Sequence, residues 1–353
     1  MKKITRIVAV LLVAVMALAG CGKAAEETKA PETKKESKAA ESKGQEESKP
    51  AETKADAGTA AAGDSADQKI TIGVSLPHMS SPARVAMANE IEEAVKTIGK
   101  GNWEVIITEA GNDTAKQTSD VEDLIQQGVD AIIMCPISTD PLVPVCQEVQ
   151  AAGIPLILID RTISSEDYDY YVGGDNYLIG VQAADYIGEK LNGEGKVVII
   201  QGTLGGSATN DRQAGFVDTL AEKYPNIEVL DEQSGEWARD VGMKVMEDYI
   251  QAYGDDIDAV YSHGDNSTLG ALQAIADADK DYIVVAADGQ KEVFDAIKAG
   301  TVDACMIFLG GGKESIDLLH NLLNGEPPAE KVTYLEVPCV VSDNVDEYYD
   351  MGY

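Results

Sequence analysis

From Ile70 onward the chain alternates short apolar runs with segments whose apolar residues recur every three or four positions. The first kind predicts buried strands and the second amphipathic helices. Strands are expected at 70–75, 103–108, 131–134 and 155–159, separated by helices over 83–98, 115–127 and 141–152. Gly153 marks the end of the last of these helices. A helix over 178–191 restarts the rhythm. Strands at 196–200, 227–230, 259–261, 282–286 and 302–308 then alternate with helices over 208–224, 238–253, 267–278, 291–299 and 313–323. One closing strand is expected over 332–341.

Such alternation predicts an α/β fold of doubly wound parallel sheets with helices on both faces. The four-residue run Ala131–Met134, apolar throughout, suits a central strand covered on both sides. About 285 residues from Lys69 onward exceed one typical small core and suit two lobes.

The start of the chain has a different character. Lys2, Lys3 and Arg6 precede an apolar run from Ile7 to Leu18, which is signal-peptide length and short of the roughly 20 residues that a membrane helix needs. It ends in Leu18-Ala19-Gly20-Cys21, which resembles a bacterial lipobox. Residues 1–20 are therefore expected to be a lipoprotein signal peptide, with Cys21 lipidated and the protein tethered outside the cytoplasm on the cell membrane. Residues 21–68 contain no aromatic side chain and no large aliphatic one. They cannot bury enough apolar area to offset backbone ordering and are expected to form a solvated tether.

The formal net charge of −33 argues against nucleic acid or an anionic lipid surface as partner. Cys135, Cys146, Cys305 and Cys339 show no metal-binding spacing. Three pairings are open to them, and buried free thiols are the default. No cofactor or metal is implied. Gly310-Gly-Gly-Lys313 lacks both the leading glycine (Ile307) and the Ser or Thr (Glu314) of a phosphate loop, and no nucleophile elbow occurs. Catalysis is not expected.

Ligands of parallel sheets sit beyond the carboxyl ends of the strands. Here the residues following the strands include Ser81 and Arg84, Asp160-Arg161, Arg212, Trp237, His263 with Asp265, Asp288, and Phe308 at the last. The segments Ile157-Leu-Ile-Asp-Arg161, Gly206-Ser-Ala-Thr-Asn-Asp-Arg-Gln-Ala-Gly-Phe216, Leu269-Gly-Ala-Leu272 and Val284-Val-Ala-Ala-Asp-Gly289 together resemble the ribose-binding type of periplasmic binding proteins. The resemblance runs from Lys69 to the last residue.

That resemblance implies a type I periplasmic binding protein fold: two lobes joined by a three-strand hinge and closing on a ligand. It divides the chain into an N-terminal lobe (69–174 with 309–334) and a C-terminal lobe (175–308 with 335–353). It implies a monomeric substrate-binding protein that captures a sugar or polyol and delivers it to an ABC permease and its ATPase. Presentation to a membrane receptor or kinase, or a non-sugar ligand, is the alternative. Asp160, Arg161, Arg212, Trp237 and Asp288 fall on matching positions, and Arg84, Ser81, Asp265 and Phe308 complete the candidate set.

The chemistry fits independently of the family. A carboxylate accepts from two adjacent hydroxyls, a guanidinium donates in a fixed fork, and an indole face covers the C–H face of a ring. On this reading Asp160→Ala weakens binding by about a hundredfold or more and spares the fold. The chain departs from the pattern at Gly264, where an Asn is common, at Ala287 and Ala83-Arg84, where aromatics are common, and at Phe308, where an amide is common. Ribose itself is therefore not implied; a larger sugar, a cyclic polyol and an acidic sugar met by Arg84 all stay open. His78 and His263 lie near the cleft and are read as structural.

Overall fold

The computed structural model describes residues 65–353. The leader, Cys21 and the expected tether up to residue 64 lie outside the described residues. The last part of that tether expectation needs correcting. Ser65–Asp67 form a short 3-10 helix with Ser65 and Ala66 buried, and the Trp103 indole N–H donates to the Ser65 carbonyl at 3.1 Å. The folded body thus begins before Lys69.

Twelve strands are described: β1 (Ile70–Leu76), β2 (Trp103–Glu109), β3 (Ala131–Met134), β4 (Leu156–Ile159), β5 (Tyr170–Gly174), β6 (Glu194–Gln201), β7 (Asn226–Ser234), β8 (Ala259–Ser262), β9 (Ile283–Asp288), β10 (Ala304–Ile307), β11 (Val332–Leu335) and β12 (Cys339–Val341). They form two six-stranded sheets, ordered β11-β5-β4-β3-β1-β2 and β12-β10-β9-β8-β6-β7. Every pairing is parallel except β10 with β12, which is antiparallel. The fold is thus two parallel-sheet α/β lobes, one of them with an antiparallel edge.

Strand composition explains the sheet order. β3 (AIIM) and β4 (LILI) are wholly buried, as continuous apolar strands between two helical layers must be. β2 lies at an edge and is only half-buried along most of its length. Each sheet carries an apolar cluster on both faces. Ile72, Val74 and Ile133 face one way and Ile132, Met134 and Leu158 the other in the first sheet. Val198, Val260 and Phe294 oppose Val197, Ile199 and Phe216 in the second.

Two expectations are corrected at the joins. β5 (YYVGG) was not anticipated, because two glycines and two tyrosines break the aliphatic signal of a strand. The single closing strand over 332–341 is two strands: β11 completes the first sheet and β12 the second. The chain therefore passes between the sheets three times: after Gly174, after Ile307 and between Leu335 and Cys339.

Candidate functional site

The carboxyl ends of both sheets face one cavity of about 340 Å³, at the small end of the range for small-molecule sites. Eight of the nine candidate residues line it: Ser81, Arg84, Asp160 and Arg161 from the first lobe, and Arg212, Trp237, Asp288 and Phe308 from the second lobe and its exit. The lobes also meet directly, since the Thr162 amide donates to the Ser207 hydroxyl at 2.8 Å.

Backbone geometry aims several of these side chains. Asp160, Trp237 and Asp288 have φ of 62°, 55° and 125°. These are left-handed conformations that cost about 1–3 kcal/mol each and persist only where the surroundings hold them. Each lies at or just beyond a strand end, so the chain turns sharply and the side chain faces the cavity. Arg212 is placed by helix packing. The helices Asn176–Lys190 and Ser207–Lys223 touch backbone to backbone at Gly180 and Gly215, where an added Cβ would stand 2.2 Å and 2.1 Å from a carbonyl oxygen.

Most of the charges are paired. Arg84 forms an ion pair with Asp160, and the Cys135 thiol donates to the same carboxylate at 3.2 Å. Arg161 Nε lies 3.6 Å from Asp160, too far to count as a hydrogen bond, and has no acceptor among the described residues. Burial pushes the Asp160 carboxyl up, but Arg84 and Arg161 outweigh it and hold its pKa below the ordinary range. Arg212 donates to Asp288 at 2.8 Å, to Asn176 Oδ1 at 2.8 Å and to the His263 carbonyl. Its guanidinium carbon lies 5.5 Å from the Trp237 ring centre and 5.1 Å from that of Phe308.

Asp160 is thus the counter-ion of two buried arginines as well as a candidate reader of hydroxyls. The expectation that Asp160→Ala spares the fold is revised accordingly, because that change strands both cations. Arg84 and Arg161 share the one Asp160 carboxylate, and both arginines line the cavity.

Asp265 is the candidate that the structure places elsewhere. It is fully buried, outside the cavity lining, and accepts from the Gly289 and Gln290 amides at 2.7 Å and 2.5 Å. It fixes the turn that presents Asp288. The following residue, Asn266, lines the cavity instead. Burial, and then the nearby Asp288, push the Asp265 carboxyl well above its ordinary range.

His78 lines the cavity with Nδ1 2.9 Å from the Ser80 hydroxyl. Burial, with Arg84 and Arg161 nearby, lowers its pKa to about 4. His263 is fully buried and lowered well below the usual value by burial and Arg212. Both rings are neutral near pH 7.

Sequence reasoning missed Glu90, Gln290 and the segment Asp350–Tyr353, all of which line the cavity. Glu90 had a readable signal. Ala83, Met87 and Glu90 are spaced i, i+4, i+7 on the helix Pro82–Ile98 and share one face. The terminal segment had none, because it is remote in sequence from every strand end near the site. All four described cysteines are free. Among the described residues no cluster of His, Cys, Asp or Glu is arranged to hold a metal.

Comparison with known proteins agrees with this architecture. Residues 72–327 match the family model described as a periplasmic binding protein domain. The ribose import binding protein RbsB of Bacillus subtilis is 38% identical over 231 residues, 65% of this chain and 73% of that protein. The xylitol-binding protein of Mycolicibacterium smegmatis is 34% identical over 291 residues, 81% of each chain. Among solved structures, the fructose binding periplasmic domain of a hybrid two component system superposes with a TM-score of 0.75 at 29% identity, covering 80% of this chain and 94% of that one. The chain belongs to the periplasmic binding protein domain family, whose members bind solutes and are not enzymes.

Proposed function

We propose that the protein is the extracytoplasmic, lipid-anchored substrate-binding component of an ABC importer, and that it holds a sugar or related polyol in the cavity between its two lobes. The observation that carries the reading is the pairing of Asp160 with Arg84 and of Asp288 with Arg212 around Trp237, at the facing strand ends of two sheets. Each pair keeps lone pairs and N–H groups for adjacent hydroxyls, and charge-assisted hydrogen bonds contribute roughly 1.5–3 kcal/mol each. The Trp237 face suits the C–H face of a ring. The relatives named for ribose, xylitol and fructose support the ligand class.

In this reading the protein acts as a monomer, the three inter-sheet connections serve as the hinge, and the closed form is handed to the permease. Cys21 carries the lipid that tethers the protein to the membrane. A second reading, in which the closed form is presented to a membrane sensor, is favoured by the likeness to the periplasmic domain of a hybrid two component system.

Thermal unfolding against D-ribose, xylitol, myo-inositol, D-fructose and their uronic or aldonic counterparts tests the proposal. A ligand at about a hundred times its Kd adds about 2.7 kcal/mol. No shift with any polyol, from a folded sample, would overturn it.

A further inference from the structure

Three guanidinium groups and two carboxylates stand together at the strand ends. Arg84 is ion-paired with Asp160, and Arg212 with Asp288 at 2.8 Å. Arg161 is the third cation. Its side chain is 6% exposed and its Nε lies 3.6 Å from Asp160, a carboxylate already engaged by Arg84 and by the Cys135 thiol. Nε is shielded and has no acceptor among the described residues, whereas the two terminal nitrogens, which have none either, keep accessible surface. Arg161 lines the cavity, so a ligand reaches those nitrogens there. The contact with Trp237, 5.8 Å to the ring centre, uses the face of the guanidinium and leaves its N–H edge for an acceptor.

No other buried group of the wall offsets this cation. Burial pushes the Cys135 thiol up to about 12, and His78, lowered to about 4, is neutral as well. Asp265 lies outside the wall, and burial holds its carboxyl well above the ordinary range. Glu90, Lys313, Glu314 and Asp350 also line the cavity but keep contact with solvent, which screens them. Burial first, and then Arg84, lower the Arg161 pKa against the pull of Asp160. An arginine stays charged all the same. A buried cation without a full counter-charge is disfavoured until an anion joins it.

We propose that the preferred ligand is a polyol bearing one carboxylate, a sugar acid of the aldonic or uronic type, seated by that carboxylate on Arg161 while its hydroxyls meet the Arg84–Asp160 and Arg212–Asp288 pairs. One negative charge brings the buried set of three cations and two carboxylates to balance, whereas a doubly charged phosphate ester overshoots it. The carboxylate takes the bidentate geometry that a guanidinium edge offers. This inference rests on the reading of the cavity as a polyol site.

The test titrates the protein calorimetrically with matched pairs: D-ribose and D-ribonate, D-glucose and D-glucuronate, D-galactose and D-galacturonate, with D-ribose 5-phosphate beside them. At least one acid is expected to bind tenfold or more tightly than its neutral counterpart. In Arg161→Gln the acid should lose at least tenfold more affinity than the neutral sugar. The variant's unliganded melting temperature should stay the same or rise, because an incompletely paired buried cation has been removed. Neutral sugars that bind the wild type as tightly as their acids overturn the inference and leave the polyol reading intact, and this comparison stands even if the variant does not fold. Tighter binding of the phosphate ester than of any carboxylate also overturns it. An acid preference that survives in Arg161→Gln removes the seat assigned to Arg161, and the inference with it. Failure of every sugar, neutral or acidic, to bind the wild type removes the polyol reading itself.

Discussion

The guanidinium carbon of Arg161 stands 5.8 Å from the centre of the Trp237 ring, although the two residues follow strands of different sheets. Arg212 lies 5.5 Å from the same ring. One indole therefore serves two arginines, one from each lobe. Cation–π contacts contribute about 0.5–2 kcal/mol each, more where water is excluded. The contact from Arg161 exists only while the lobes are together.

Trp237→Ala removes both contacts and the surface that would cover a sugar ring. Affinity for the polyol that stabilises the wild type most should fall at least tenfold, as measured by calorimetry. Trp237 is only partly buried, so the melting temperature should change far less than the affinity. Intrinsic fluorescence of the wild type should respond to that polyol, while the variant, left with Trp103 alone, should not.

Gly202→Ala tests the seat of that indole without touching it. A Cβ at 202 would stand 1.9 Å from Trp237 Cζ2, so the ring must leave its place. Binding is expected to weaken by tenfold or more, with a stability cost of about 1–3 kcal/mol typical of overpacking. Equal affinity in the variant would mean that the indole position does not matter.

Asp160→Ala leaves Arg84 and Arg161 buried without their counter-ion. Breaking such a pair from one side costs about 3–5 kcal/mol, or roughly 6–20 °C in melting temperature. Adding Arg84→Met should restore part of the loss in chemical denaturation. A double variant no more stable than Asp160→Ala alone would show that the Arg84 pair is not the source of the cost.

The pH dependence of stability has a sign that can be worked out in advance. The His78 pKa falls from the usual 6.5 to about 4 in the folded protein. Between those values the unfolded chain binds more protons, so this residue makes stability rise with pH from about 4 to 6.5. His78→Gln should flatten the rise in a melting series across that range, and buried His263 should sustain the remainder. Asp265 acts in the opposite direction. Its raised pKa means that the folded protein holds a proton that the unfolded chain releases above about pH 4, so Asp265→Asn should remove a downward contribution to the same series.

Much of the site was legible because a parallel α/β sheet sends its ligand to the strand ends, and strand ends follow apolar runs that can be read directly. Asp160, Arg212 and Asp288 were found in that way. Asp265 was misplaced because two adjacent residues at a helix start point in different directions, and only the fold shows that Asn266 faces the cavity while Asp265 binds amides. The Arg84–Asp160 pair was hidden because it joins residues 76 positions apart through the spacing of two loops. β5 was hidden because its strand character comes from pairing with β4 and β11 rather than from its own side chains.

The order of strands also bears on synthesis. β11 occupies the edge beside β5, and the helix Gly312–Leu323 supplies Ile316 and Leu319 to the first lobe's core. These pieces leave the ribosome only after most of the second lobe. β5 and β11 are separated by about 160 residues, which at ~5–20 residues per second is a delay of roughly 8–30 s. During that interval the first lobe is a nascent chain with an open edge and an unfilled core. It is therefore the half most in need of a chaperone, although it is the half made first.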